Sequence, residues 1–183
     1  MDDLPTWDES ARPPVVAYAD APPYAGAALA HLRLIHDHFR HGLAVVASVV
    51  DDVVEGTASL GDARAALHET GLTAQYQRLG SYCGQLCHAV TQHHMIEDVV
   101  LYPQLRTADV DLGSTLDRLE HEHRVIHDVL EGVDRRLVRF AQDRTHLSSL
   151  VAEVHHLRTL LESHFTYEEE AIGRALGVHR IGV

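Results

Sequence analysis

Residues 93–103 read HHMIEDVVLYP. Two adjacent histidines, His93 and His94, stand one helical turn ahead of Glu97 and Asp98 in a segment otherwise rich in Met, Ile, Val and Leu. His93 follows Leu86 by seven residues and Val90 by three, so helical spacing puts it on the apolar face. Glu97 lies one turn further along that face, ~6 Å up the axis. Polar groups on a buried stripe cost free energy unless something satisfies them. Whether neighbouring helices bring similar groups to the same place decides both the fold and the chemistry.

Helical periodicity extends outward from this segment through most of the chain. One helix is expected over roughly 25–55, with Leu29, Leu32, Phe39, Leu43, Val46 and Val50 inward. After the breaker EGTASLGD, the stretch DARAALHET forms a short extra helix ended by Gly71. A second long helix runs from about 73 to 105, with Leu79, Leu86, Val90, Ile96 and Val100 inward. A third covers about 115–140, with Ser114 as its N-cap and Leu116, Leu119, Ile126, Leu130, Val133 and Leu137 inward. A fourth covers about 146–176, with Leu150, Val154, Leu157, Leu161, Phe165, Ile172 and Leu176. Each would be ~40–48 Å long at 1.5 Å per residue. Short links favour antiparallel neighbours, so the expected fold is all-α, an up-down-up-down antiparallel four-helix bundle.

Five of the six prolines fall in residues 1–23, which marks 1–24 as an extended or partly disordered arm before a bundle at 25–183. With 183 residues the chain suffices for one domain with a full core. It carries 27 acidic and 15 basic residues, a net charge of -12, which argues against nucleic acid and anionic membranes as partners. No basic and apolar leader opens the chain, and no apolar run approaches the ~20 residues of a spanning helix. Cys83 and Cys87, four apart in a helical segment, read as small reduced side chains, which fits a cytoplasmic setting. The expected oligomeric state is monomer or dimer.

Histidine is the compositional outlier, at sixteen residues. His36 lies four after Leu32 and seven before Leu43; His123 and His127 are four apart among Leu119, Ile126 and Leu130; His164 is seven after Leu157, with Glu168 one turn beyond. Each long helix thus offers an imidazole to the interior, and two helices add a carboxylate. One histidine on an apolar face is usually a satisfied core residue. Five, with Glu97 and Glu168, demand a compensating positive charge, because a buried ionised carboxylate left unpaired costs several kcal/mol. Imidazole plus carboxylate suits iron, manganese or zinc. His94, about 100° around the helix from His93, is expected to point aside. Histidines off the stripes, such as His31, His38, His41, His121 and His155, read as solvated.

The ordered set His36, then His93 and Glu97, then His123 and His127, then His164 and Glu168 resembles the hemerythrin-like family of HHE cation-binding domains. The LYP after the second motif is similar to that family's Leu-Phe-Pro. The resemblance spans about residues 28–176. It implies a non-haem di-iron site of two iron ions with an oxo or hydroxo bridge. Carried over, His123, His127 and His164 hold one iron, His36 and His93 the other, and Glu97 and Glu168 bridge them. The two-histidine iron keeps an open position for O2, peroxide or nitric oxide. Oxygen carriers of this family have an aspartate five after the last histidine; here Glu168 stands at four and Glu169 at five, and Glu168 is preferred. Tyr102 replaces the usual Phe. On a straight helix it points about 140° away from Glu97, but Pro103 disfavours helical backbone at Tyr102, and a turn there would swing the phenol toward the metals. The competing expectation is an aromatic core residue.

The implied function is binding of O2-like ligands, with turnover of peroxide or nitric oxide left open. The alternatives are a ferritin-like ferroxidase and an iron-binding or sensing module. A ferroxidase needs Glu-x-x-His on two helices, which Glu120/His123 and Glu153/His156 match by count alone. No H-E-x-x-H motif of a zinc peptidase occurs.

Overall fold

A computed structural model describes residues 4–16, 18, 21–55, 84–142 and 147–182 of the chain. Among them there is helix but no strand. The main elements are α1 (Gly26–Glu55), α2 (Gly84–Ile96), α3 (Tyr102–Ala108), α4 (Gly113–Gln142), α5 (Leu147–Ala171) and α6 (Gly173–Val178). Between α2 and α3, Glu97–Leu101 form a π-helical turn, so α2, this turn and α3 make one interrupted rod. The expected helix from 73 to 83 with Leu79, the short helix of DARAALHET, Cys83 and the side chain of Leu137 lie outside the described residues.

The apolar stripes build two separate clusters. Phe39, Leu43, Val46, Leu86, Val90, Ile126, Val129, Leu150, Leu157 and Phe165 are among the buried members of one. Leu32, Leu101, Tyr102, Leu105, Leu116, Leu119, Ala171, Ile172 and Leu176 belong to the other. His36 stands between Leu32 and Phe39 on α1, and His123 between Leu119 and Ile126 on α4. His164 and Glu168 fall between Leu161 and Ile172. A polar layer therefore lies between two apolar ones, in a chain whose buried leucines each contribute ~2 kcal/mol.

Several local expectations are corrected. Ile96 and Val100 are about half exposed, because His94 and Glu97 take the inward face of this helix. Ser114 is not the cap of α4. A 3-10 turn, Val110–Leu112, precedes the helix, and Asp109 caps that turn by accepting from the Asp111 N–H. The fourth expected helix breaks at Ile172, where φ is -122° and ψ is -14°. The break lets α6 turn against α1 and the segment Pro23–Ala25. Gly177 packs against the Ala25 backbone so closely that a β-carbon would not fit.

Residues 4–16 run along α4 and α5 with one short 3-10 turn, Glu9–Ala11. The Pro5 carbonyl accepts from His156 Nε2 (2.7 Å), the Asp8 carbonyl from Arg118 Nη2 (2.7 Å) and the Pro13 carbonyl from the Tyr167 hydroxyl (3.1 Å). No helix among the described residues is long and apolar enough to cross a membrane.

Candidate metal centre

The polar layer resolves into two groups of side chains. One donor atom each from His94, His123 and His164 lie within 4.8 Å of one another, and so do one each from His36, His93, Glu97 and Glu168. His36, His164 and Glu168 are fully buried, and Glu97, His123 and His94 nearly so. The groups adjoin. Glu97 reaches His93 Nε2 with one oxygen (3.1 Å) and His123 Nε2 with the other (3.7 Å). Glu168 Oε2 is 3.4 Å from His36 Nε2 and 3.8 Å from His164 Nε2.

The outer nitrogens fix what the inner ones can be. His36 Nδ1 meets Glu169 Oε1 at 3.0 Å, His123 Nδ1 meets Asp98 Oδ1 at 2.8 Å, and His164 Nδ1 meets Glu122 Oε2 at 3.1 Å. An ionised carboxylate only accepts, so each Nδ1 carries the hydrogen and donates it. In a neutral imidazole, Nε2 is then a bare lone pair. His36 Nε2 faces His93 Nε2 at 3.1 Å, though His93 is not among the rings oriented in this way. His123 Nε2 and His164 Nε2, both bare, are nevertheless only 3.0 Å apart. Lone pairs repel at such distances. A cation between them removes the conflict: two nitrogens each ~2.1 Å from one ion, at right angles, are ~3.0 Å apart. The Nε2 of His94, both oxygens of Glu97 and Oε2 of Glu168 are buried and make no hydrogen bond. Donor chemistry and orphaned atoms together fit a pair of metal ions, with carboxylates orienting the histidines from behind.

The protonation preferences follow the same layout. Burial drives His93 down to about 3, against the pull of Glu168, and holds His94 well below the ordinary imidazole range. Burial also lowers His164, partly opposed by its hydrogen bond to Glu122. At His36 burial acts downward, but the hydrogen bonds to Glu168 and Glu169 outweigh it and leave the group raised. Glu97 is pushed well above the carboxylate range by burial and the nearby charge of Glu168. Glu168 goes the other way: burial opposes, but His36 and His164 hold it ionised. These two carboxylates have their affinities for protons pushed apart, as at sites where charge is handled.

The structure brings together six of the seven ligands expected from sequence: His36, His93, Glu97, His123, His164 and Glu168. His127 is corrected. Its side chain is 52 % exposed and its Nε2 faces Glu131 Oε1 at 3.3 Å, because its position next to Ile126 turns it out of α4. His94, expected to point aside, faces inward instead; it is 5 % exposed and its ring stacks on His123 with centroids 3.9 Å apart. Glu169 sits behind His36 and is held by Arg40 (2.9 Å) and Arg33 (3.1 Å).

Tyr102 is fully buried, and its hydroxyl donates to Glu168 Oε1 at 2.6 Å and lies 3.4 Å from His123 Nε2. The expected cause is corrected as well. Tyr102 keeps helical backbone (φ -63°, ψ -39°), so Pro103 does not turn it. The π turn does, since the Tyr102 N–H bonds to the Glu97 carbonyl five residues back. One extra residue in the turn brings Tyr102 round to the face of Glu97.

Glu122 escaped the sequence reading. It is completely buried and accepts from Arg12, Arg118 and His164. Its spacing from Leu119 (three) and Ile126 (four) places it on the apolar stripe of α4, and that was the available signal. The ferroxidase motif does not assemble. Glu120 pairs with Arg106 at 3.0 Å, Glu153 with Arg136, and His156 with the Pro5 carbonyl.

Residues 27–176 match the family model of the hemerythrin HHE cation binding domain. The chain belongs to this family. Comparison of the hemerythrin domain with curated proteins and with solved structures gave no match. A groove of about 440 Å³ reaches the His/Glu layer from solvent. His94 and His123 line the groove together with Met95, Asp98, Val99 and His127.

Proposed function

We propose that this hemerythrin domain is a non-haem di-iron protein that binds small O2-like ligands: O2, peroxide or nitric oxide. The observation that carries the reading is the facing pair of bare Nε2 atoms of His123 and His164, with His36 and His93 meeting through their own Nε2 atoms and Glu97 and Glu168 each reaching both groups. In this reading His94, His123 and His164 hold one iron, and His36 and His93 the other. Glu97 and Glu168, which each reach both groups, would bridge the two irons, and an oxo or hydroxo group would complete the pair. When bound, such a pair supplies one-electron chemistry and a Lewis-acid position for a small ligand. Asp98, Glu122 and Glu169 fix the ring orientations, and Leu101, Leu105 and Phe165 keep bulk water from the layer.

Turnover of peroxide or nitric oxide is favoured by one observation. The Tyr102 O–H is 2.6 Å from Glu168 Oε1 in an otherwise apolar wall, where it can hold or pass a proton. The architecture that goes with the reading is an up-down-up-down four-helix bundle over residues 25–183 after an extended arm at 1–24. The order in which the rods meet the two apolar clusters supports it, since it reverses from each to the next. A cytoplasmic setting goes with it, on the reading of Cys83 and Cys87 as reduced side chains. The net charge of -12 speaks against nucleic acid as a partner.

Metal analysis tests the paired site. The purified chain should hold two irons, His94→Ala should lose at least one, and His127→Ala should keep both. One metal per chain, or iron lost from His127→Ala alone, sinks the assignment. Absorption spectra before and after O2, peroxide and nitric oxide then identify the ligand.

A further inference from the structure

The carboxylates behind the histidines differ in how they are held. Asp98 lies on the π turn itself, and Glu169 is held by Arg33 and Arg40 of α1. Glu122 is completed from outside the long helices. Arg12, in the extended segment before α1, donates from Nε to Glu122 Oε1 and from Nη2 to Oε2, each at 2.8 Å, across 110 residues of sequence. The side chain of Arg12 is 13 % exposed and that of Glu122 not at all. Arg118 adds a second guanidinium at 2.8 Å. The Arg12 guanidinium lies 4.6 Å above the Tyr167 ring, and the segment is tied down on either side of it at Asp8 and Pro13. Glu122 passes this on through Oε2 to His164 Nδ1.

We infer that Arg12 is a positioning residue of the metal centre, acting through Glu122 on the donor strength of His164. The inference rests on the di-iron reading of the site. A carboxylate behind a metal-bound histidine pushes electron density to the ligating nitrogen. A bidentate guanidinium draws that density back and locks the carboxylate's orientation. Arg12 thus restrains Glu122, so His164 is a weaker donor with the N-terminal segment seated than without it. Removing the guanidinium strengthens donation by His164 and takes away a nearby positive charge. Both effects favour the ferric state, so they shift the reduction potential in the same direction, downward.

The test compares the iron-loaded full-length chain with Arg12→Gln, Arg12→Lys and His156→Ala by redox titration. Arg12→Gln should titrate at a lower potential. Arg12→Lys, which keeps the charge, should return most of the way to the parent. His156→Ala, which removes only the anchor at Pro5, should match the parent, as a merely structural strap would not require. In zinc-loaded protein, the ¹⁵N signals of the His164 ring should move in Arg12→Gln. Unchanged potential and unchanged His164 signals in that variant overturn the inference while leaving the di-iron reading intact. If the parent takes up neither iron nor zinc, the di-iron reading fails, and this inference with it. Should Arg12→Gln not fold, Arg12→Met replaces it, with the same expected fall in potential and movement of the His164 signals, and the same result overturning the inference.

Discussion

Tyr102 carries a hydroxyl that packing alone does not need. A Phe would fill the same volume among Leu101, Leu105 and Leu119, so the hydroxyl earns its place only through Glu168 and His123. Tyr102→Phe should therefore keep its iron and lose no more than ~1–3 kcal/mol of stability, the cost of leaving a buried acceptor short of one donor. The same variant should decompose added peroxide more slowly, or hold an O2 adduct longer. Peroxide turnover and spectra equal to the parent's would reduce Tyr102 to a core aromatic. Burial and the charges of Glu168 and Glu97 hold its phenol well above the ordinary range, so it acts as a proton donor and not as a phenolate at neutral pH. Residue by residue, the site was legible where a ligand sat alone on an apolar stripe, as His36, His123 and His164 do. It failed where the centre is wider than one stripe. A layer with two groups of donors takes both of two adjacent histidines, 100° apart on α2, and stripe arithmetic admits only one of them. His127 was placed by motif spacing from His123, although its neighbours Asp128 and Glu131 marked a solvent face.

The π turn is the element that periodicity could not foresee, because counting at 100° per residue assumes that every turn is α. Across Glu97–Leu101 that count sends Tyr102 about 140° from Glu97, whereas the wider turn absorbs one residue and returns it to the same face. The side chains of Val99 and Val100 in this turn are largely exposed, so the core does not need them. Deleting Val99 should let the segment close as an ordinary α turn, with the tyrosine four residues after Glu97. The deletion variant should keep its iron and melt within a few degrees of the parent. Deleting Met95, about half exposed but between the histidines and Glu97, should abolish metal binding, because Glu97 would rotate ~100° out of the layer. Equal damage from both deletions would mean that the turn is not an absorbed insertion. The ends that do not adjoin undescribed residues, near 26, 108 and 113, were readable to within a few residues because the stripes are long. The ends that differ are set by tertiary contacts, as where Ile172 breaks the rod so that α6 can cover Ala25.

At the scale of the whole molecule, the two apolar clusters must carry a polar layer that they cannot solvate. Metal binding offsets this, and since the unfolded chain has no preformed site, it adds to folding free energy. Removal of the metals should lower the melting temperature, and the size of the drop should depend on pH. Glu97 is the reason. Its folded-state affinity for a proton is raised well above the ordinary carboxylate range, so the metal-free protein keeps a proton on it at pH values where an ordinary carboxylate is ionised. A carboxylate with a raised folded-state value costs stability as pH climbs above its unfolded value of ~4.3, and the cost grows until the folded-state value is passed. His93 and His94, held low by burial, act in the opposite sense only as pH falls below ~6.5. Between pH 7 and 8.5 they are neutral in both states and drop out, while His36, whose folded-state value is raised, adds to the loss as pH rises. Over that window the metal-free chain should lose stability as pH rises, while the metal-loaded chain gains, because protons compete less for its ligands. The gap in melting temperature should thus widen from pH 7 to 8.5, and adding zinc to metal-free protein at pH 7 should release protons into weakly buffered solution. A gap that stays constant, with no proton released, would show that Glu97 is already ionised without the metals and that protein groups balance its charge.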